Sequence, residues 1–252
     1  MSGVALVILL LGLWEASVRL GFVQSLNWPA FSEVIRSLAV GIGDGELLRV
    51  ILSTLWSMAR GYAVGCAIGV PLGFAIALWR PMRLALQPLI ELLRPIPVPA
   101  IIPPLIFLLG VDDALKLFAV AFATVFPVTL NTVAGVMAVE PVYKQVAETF
   151  GVSRVKTILR VVLPASLPFI LAGLRTSLGL ALVVTVVAEM IAGQQGVGYY
   201  LISMQFAMRA ADMYAAVVLL ACVAYLPNLA FMAWEARMIG WARLRENTGG
   251  PR

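Results

Sequence analysis

The 252-residue sequence contains no histidine, only two cysteines and few charges, with Asp, Glu, Lys and Arg together making up 12% of it. Without histidine the commonest general base and metal ligand is missing. Cys66 and Cys222 lie far apart inside apolar runs, so zinc chemistry, a histidine-dependent triad and a disulfide framework are all disfavoured. Ordinary globular chains carry about 25% charged residues. Here 62% of the residues are Ala, Val, Ile, Leu, Met, Phe, Trp, Tyr or Cys, more apolar surface than a soluble fold of this length can hide. The excess must face lipid, and the chain reads as an all-α polytopic membrane protein, because lipid offers an unpaired backbone nothing to bond.

A spanning helix needs about 20 mostly apolar residues. Runs of that kind occupy roughly 4–18, 54–78, 115–139, 167–191 and 213–234, and a sixth is assembled from the amphipathic stretch 84–93 and the proline-rich 98–110. Six transmembrane helices in one domain, 1–252, is the expectation. The first run lacks a basic leader and a small-residue cleavage site, so it reads as a retained span and not a signal peptide. Between the first two spans, Ser32–Leu47 is expected to form a surface helix capped by Ser32.

Lys and Arg outnumber Asp and Glu by 18 to 13, but the basic residues are not pooled as a nucleic-acid footprint requires. They follow the positive-inside pattern instead. Arg80, Arg83, Arg94, Lys144, Arg154, Lys156, Arg160, Arg237, Arg243, Arg245 and Arg252 fall on one side, against Arg19, Arg36, Arg49, Lys116 and Arg209 on the other. Both termini are therefore expected in the cytoplasm, and no nucleic acid is expected as a partner.

The connection 140–162 is too polar to span and too patterned to be a linker. Val142, Val146 and Phe150, then Val155, Ile158, Leu159 and Val162, recur at helical spacing on either side of Gly151. This predicts two short amphipathic helices broken at Gly151, the second capped by Ser153 and stopped by Pro164. The run Gln145-Val146-Ala147-Glu148-Thr149-Phe150-Gly151, with Val161-Val162-Leu163-Pro164 after nine residues, resembles the EAA loop of ABC importer permeases. Ala147, Gly151 and the Leu163-Pro164 pair match in register, whereas Gln145 and Val146 depart from the first two positions. Leu93-Arg94-Pro95-Ile96-Pro97, Phe126-Pro127-Val128 with Asn131-Thr132, Ala188-Glu189-Met190 and Gly196-Val197-Gly198-Tyr199 are similar, in that order, to permeases for sulfonates, taurine, nitrate and related anions.

The resemblance implies a six-helix core of the MetI-like type and no catalytic site on this chain. It implies two ATP-binding subunits, a second copy of the permease and a periplasmic or extracellular solute-binding protein as partners in a prokaryotic plasma membrane. ATP and Mg would then belong to the ATPase, and this chain would hold no cofactor or metal. Gln145, Ala147, Glu148, Gly151, Val161, Leu163 and Pro164 would form the coupling element that sits in a groove of the ATPase. No Gly-x-x-x-x-Gly-Lys-Ser/Thr run occurs in the sequence.

Ionisable residues inside spans are costly and so invite a functional reading. Glu15, Arg60, Arg175 and Glu189 meet that description. Arg175 and Glu189 lie fourteen positions apart on one expected helix, about 21 Å, so each needs a partner elsewhere. Asn131, Thr132, Arg175, Thr176, Thr185 and Glu189 are the candidates for a translocation path or its gate. Glu189 is read as a gate residue tied to the backbone of the glycine-rich segment 193–199 or to a basic neighbour. Gly61, Gly65, Gly69 and Gly73 form a small-residue ladder suited to close helix packing, with Pro71 expected to kink it. A secondary transporter would carry paired intramembrane carboxylates or an inverted repeat, and a hydrolase without histidine would need a Ser–Lys pair inside a span. Neither pattern is evident.

Overall fold

The computed structural model describes residues 2–23, 25 and 27–238; Arg243, Arg245 and Arg252, counted above as cytoplasmic, lie outside them. Among the described residues the chain is helical, with no strand. The helices are α1 (Ser2–Arg19), α2 (Phe31–Gly43), α3 (Glu46–Leu78), α4 (Arg80–Leu93), α5 (Val98–Leu109), α6 (Asp113–Met137), α7 (Pro141–Thr149), α8 (Arg154–Thr157), α9 (Leu163–Ala192), α10 (Val197–Phe206) and α11 (Ala210–Met238), with a π-helical segment, Ile158–Val162, between α8 and α9. Among the described residues four helical stretches are long and apolar enough to cross a membrane, Glu46–Leu78, Asp113–Met137, Arg154–Ala192 and Ala210–Met238, and the bent pair α4 and α5 makes a fifth if it is one span.

Several boundaries differ from the sequence reading for physical reasons. The expected span 84–110 is two helices, α4 and α5, bent by 99°. The break carries Pro95 and Pro97, which have no backbone N–H to continue the helical ladder, although Arg94 itself keeps helical geometry (φ -55, ψ -43). The α2 helix begins at Phe31 after Ala30, so Ser32 lies inside the first turn and does not cap it. Pro164 does not stop the helix that starts at Arg154, which runs on to Ala192. The π segment just before Pro164 widens the turn where the proline ring would otherwise meet a carbonyl. Ser153 holds the cap position of α8 but makes no side-chain cap bond. The α3 helix passes through Pro71 without ending.

The chain divides into two compact units, Met1–Trp56 with Val186–Tyr225, and Ser57–Thr185 with Leu226–Arg252. In the first, Val34, Leu47, Tyr200, Ala215 and Ala216 form a buried cluster flanked by Trp14 and Leu38. Burial there pushes the Tyr200 phenol up to about 12, so it stays a neutral core group. Trp14 packs edge-on to Tyr214 with ring centroids 5.7 Å apart, and its indole donates to the Pro29 carbonyl at 3.0 Å.

In the second unit the glycine ladder of α3 meets a ridge of β-branched residues on α6. A Cβ at Gly61, Gly65, Gly69 or Gly73 would lie 2.5, 2.6, 2.9 or 2.5 Å from the Cβ of Val120, Thr124, Val128 or Thr132 respectively. The Thr129 hydroxyl donates across this seam to the Gly69 carbonyl at 3.2 Å. On its other side α6 meets α9, where a Cβ at Gly173 would lie 2.6 Å from that of Asn131 and one at Gly135 equally close to that of Phe169. In the absence of any hydrophobic drive between helices in lipid, such backbone approach is what holds them.

Candidate coupling and translocation sites

The Gly151 loop is built by an interrupted helix. Phe150 donates to the Val146 carbonyl at 3.1 Å, Gly151 to that of Glu148 at 2.9 Å and Val152 to that of Ala147 at 2.9 Å, closing the end of α7. Gly151 has φ +65 and nothing within 4 Å of a would-be Cβ. It is both a left-handed position that favours glycine and an open one. Ala147 is buried under the helix, whereas Gln145 and Glu148 are exposed. Around them Val142, Tyr143, Val146, Phe150, Val155 and Leu159 stand exposed, Phe150 at 80%. Val162, one residue from Val161 and Leu163, is buried with Val136 and Val139 against Phe74 and Ala77. The loop is thus an apolar knob whose root is fixed in the second unit.

Glu189 lies in the first unit and is 1% exposed. Its Oε2 accepts from the Thr54 hydroxyl at 2.8 Å and from the Gly198 amide at 3.1 Å. Thr54 Oγ1 in turn accepts from the Val197 amide at 2.8 Å. The first two amides of α10, which no intrahelical carbonyl can serve, are therefore met by a carboxylate and a hydroxyl from α9 and α3. The glycines make room for this. Gly196 has φ +98, and a Cβ there would lie 2.2 Å from the Glu189 carboxyl carbon. Thr54 was not among the sequence candidates; a single threonine at the edge of an apolar run carries no signal of its own.

The remaining candidates lie in the second unit. Arg175, on α9, reaches Glu235 of α11 at 3.9 Å, with 44% of its own side chain exposed. Arg60 pairs with Asp113 at 2.8 Å, and Asp113 also binds buried Lys116 at 2.7 Å. Thr132 and Thr185 are fully buried and donate to their own helix, to the carbonyls of Val128 and Ala181. Asn131 donates one amide hydrogen to the Pro127 carbonyl at 2.8 Å, and Thr176 donates to that of Ala172 at 2.9 Å. Asn131 and Thr176 share the wall of a cavity of about 750 Å³, together with Arg94, Phe122 and Phe126. Among the described residues no cluster of three or more Cys, Asp or Glu is suited to a metal ion.

Comparison with known proteins bears on what such an arrangement does. Residues 69–239 match the family described as binding-protein-dependent transport system inner membrane component. The chain is 28% identical to the putative aliphatic sulfonates transport permease protein of Bacillus subtilis, over 96% of this chain and 87% of that one. It is 30% identical to the taurine transport system permease protein of Escherichia coli, over 92% and 86%, and 30% identical to the bicarbonate transport system permease protein of Synechococcus elongatus, over 78% and 70%. A chain of the MetNI methionine ABC transporter superposes with a TM-score of 0.66 at 17% identity, covering 76% of this chain and 95% of that one.

Proposed function

Since this chain belongs to the binding-protein-dependent transport system inner membrane components, the non-enzymatic permease subunits of ABC importers, we propose that two copies of it carry a small organic or inorganic anion inward. The class is that of sulfonates, taurine, nitrate or aromatic acids. Relatives named for aliphatic sulfonates, taurine and bicarbonate support that choice. Each copy supplies six spans with both termini in the cytoplasm. Two ATP-binding subunits bind and hydrolyse ATP with Mg, and a solute-binding protein delivers the anion from outside.

Coupling runs through Gln145, Ala147, Glu148, Gly151, Val161, Leu163 and Pro164. The observation that carries this assignment is the exposed apolar knob around Gly151 on a root packed into the second unit. An isolated cytoplasmic loop gains nothing by exposing Phe150, but a loop held in a partner's groove does. Asn131, Thr132, Arg175, Thr176, Thr185 and Glu189 serve the path: Asn131 and Thr176 at the cavity, Thr132 and Thr185 in the seams that shape it, Arg175 through its Glu235 pair, and Glu189 as the fastening of the outer gate.

Gly151→Trp tests the coupling role. It should leave membrane insertion intact while abolishing transport and co-purification of the ATP-binding subunit. A Gly151→Trp chain that transports normally and retains the ATPase would refute the docking assignment.

A further inference from the structure

Arg94 is counted by sequence with the basic residues of the cytoplasmic side. Residues 94–98, at the break between α4 and α5, line one cavity with Phe122, Ala123, Phe126, Pro127, Leu130 and Asn131, which straddle the middle of the 25-residue spanning helix α6. The other end of α4 lies near the inner end of α6, where Arg83 Nη1 approaches Met137 Sδ at 3.8 Å. Arg94 therefore enters a cavity beside the middle of a span, where a guanidinium is costly unless it serves a ligand or a water-filled path. Among the described residues it makes no salt bridge.

The walls of the cavity specify more than charge. Asn131 spends one amide hydrogen on the Pro127 carbonyl, which leaves its second N–H for a ligand. Thr176 spends its only hydrogen on the Ala172 carbonyl and so offers no donor. The rest of the lining includes Ile96, Pro97, Leu180 and the rings of Phe122 and Phe126, the last two packed edge to face with centroids 4.9 Å apart. A small inorganic anion would exchange its water for one cation, one amide and an apolar wall, which leaves most of its oxygens unsatisfied. An anion with an acidic head and an apolar body fits both halves. The break between two half-helices is also where discontinuous membrane helices present ligand-binding backbone.

We propose that this cavity is the permease's own transient site for an amphiphilic organic anion, a sulfonate or carboxylate, with the head on Arg94 and Asn131 and the apolar body on Phe122 and Phe126. The assignment rests on the reading of the chain as an anion importer and narrows it from anions in general to organic ones. An anionic lipid presents the same chemistry, so its contribution has to be separated from that of a free organic anion.

The test is binding of 1-naphthalenesulfonate to the full-length chain in nanodiscs of phosphatidylcholine, without ATP. Arg94→Gln should weaken binding by about tenfold or more, the worth of one charge-assisted hydrogen bond. Arg94→Lys should retain much of it, Phe126→Ala should weaken it, and Arg83→Gln, at the inner end of α4, should leave it unchanged. Sulfate should compete poorly, and replacing part of the lipid with phosphatidylglycerol should not displace the probe. Unchanged affinity in Arg94→Gln would overturn the site, and sulfate competing as well as the probe would overturn the organic class. Equal binding of neutral 1-naphthylmethanol would reduce the cavity to an apolar groove, and displacement by phosphatidylglycerol would make it a lipid site; either result overturns the proposal. Failure of the importer reading itself would appear elsewhere, as a chain that binds the probe but recruits no ATPase.

Discussion

A carboxylate with 1% exposure persists inside an apolar helix only when other groups meet its charge. At Glu189 these include the Thr54 hydroxyl and the Gly198 amide, and the same pair of residues fastens the start of α10. Glu189→Gln preserves an acceptor oxygen at that position, so it is expected to keep much of the transport rate, whereas Glu189→Ala should lose most of it. Thr54→Val removes the donor to Glu189 and the acceptor for Val197, and should lower thermal stability in detergent by about 1–3 kcal/mol. Normal transport in Glu189→Ala would remove the gate role. Equal stability in Thr54→Val would show that the fastening contributes nothing. Glu189 was legible in the sequence because an ionisable residue in an apolar run is conspicuous. Thr54 was not, because a threonine in such a run ordinarily bonds only the carbonyl four residues back, as Thr132, Thr176 and Thr185 do here, whereas the Thr54 hydroxyl, 3.4 Å from the Val50 carbonyl, lies closer to Glu189 at 2.8 Å. Arg94 was conspicuous as a basic residue, but only the fold shows that it lines one cavity with residues near the middle of α6.

The same contrast holds for whole elements. The four-residue glycine spacing on α3 announced a close helix contact, and Val120, Thr124, Val128 and Thr132 repeat that spacing on α6. Which ridge faces which groove depends on packing that no single helix encodes. A methyl group at Gly65 would sit 2.6 Å from Thr124 Cβ and 2.9 Å from the Ala121 carbonyl oxygen. The second of these is backbone, so α6 itself must move. Gly65→Ala should therefore cost about 1–3 kcal/mol in detergent unfolding. Gly179→Ala, with nothing within 4 Å, should not destabilise and should gain up to about 1 kcal/mol from the better helix former. Equal effects of the two would contradict the α3–α6 seam. The run from Arg154 through Pro164 escaped the sequence reading for a similar reason. Proline ordinarily breaks a helix interior, but the π turn before it absorbs the strain and lets α8 continue into α9.

For the whole molecule, exposed apolar residues serve two different surroundings. Phe107 and Leu108, at 92% and 78% exposure near the end of α5, continue the apolar character of a membrane-spanning chain. Phe150 and Val155 are exposed on a polar connection, where lipid tails are not the natural cover. Membrane class followed from composition alone, and the family was legible because Ala147, Gly151 and the Leu163-Pro164 pair keep the spacing of the family's loop motif. In the proposed function the ATP chemistry belongs to an ATPase seated on that loop. The most direct measurement is ATP hydrolysis, together with intact mass, of the tagged chain purified from its native membrane with and without its ATP-binding subunit. The expected result is two permease copies with two ATP-binding subunits, hydrolysis only in the complex, and loss of both the partner and the activity with Gly151→Trp. A chain that hydrolyses ATP alone, or an active complex that persists unchanged with Gly151→Trp, would contradict it.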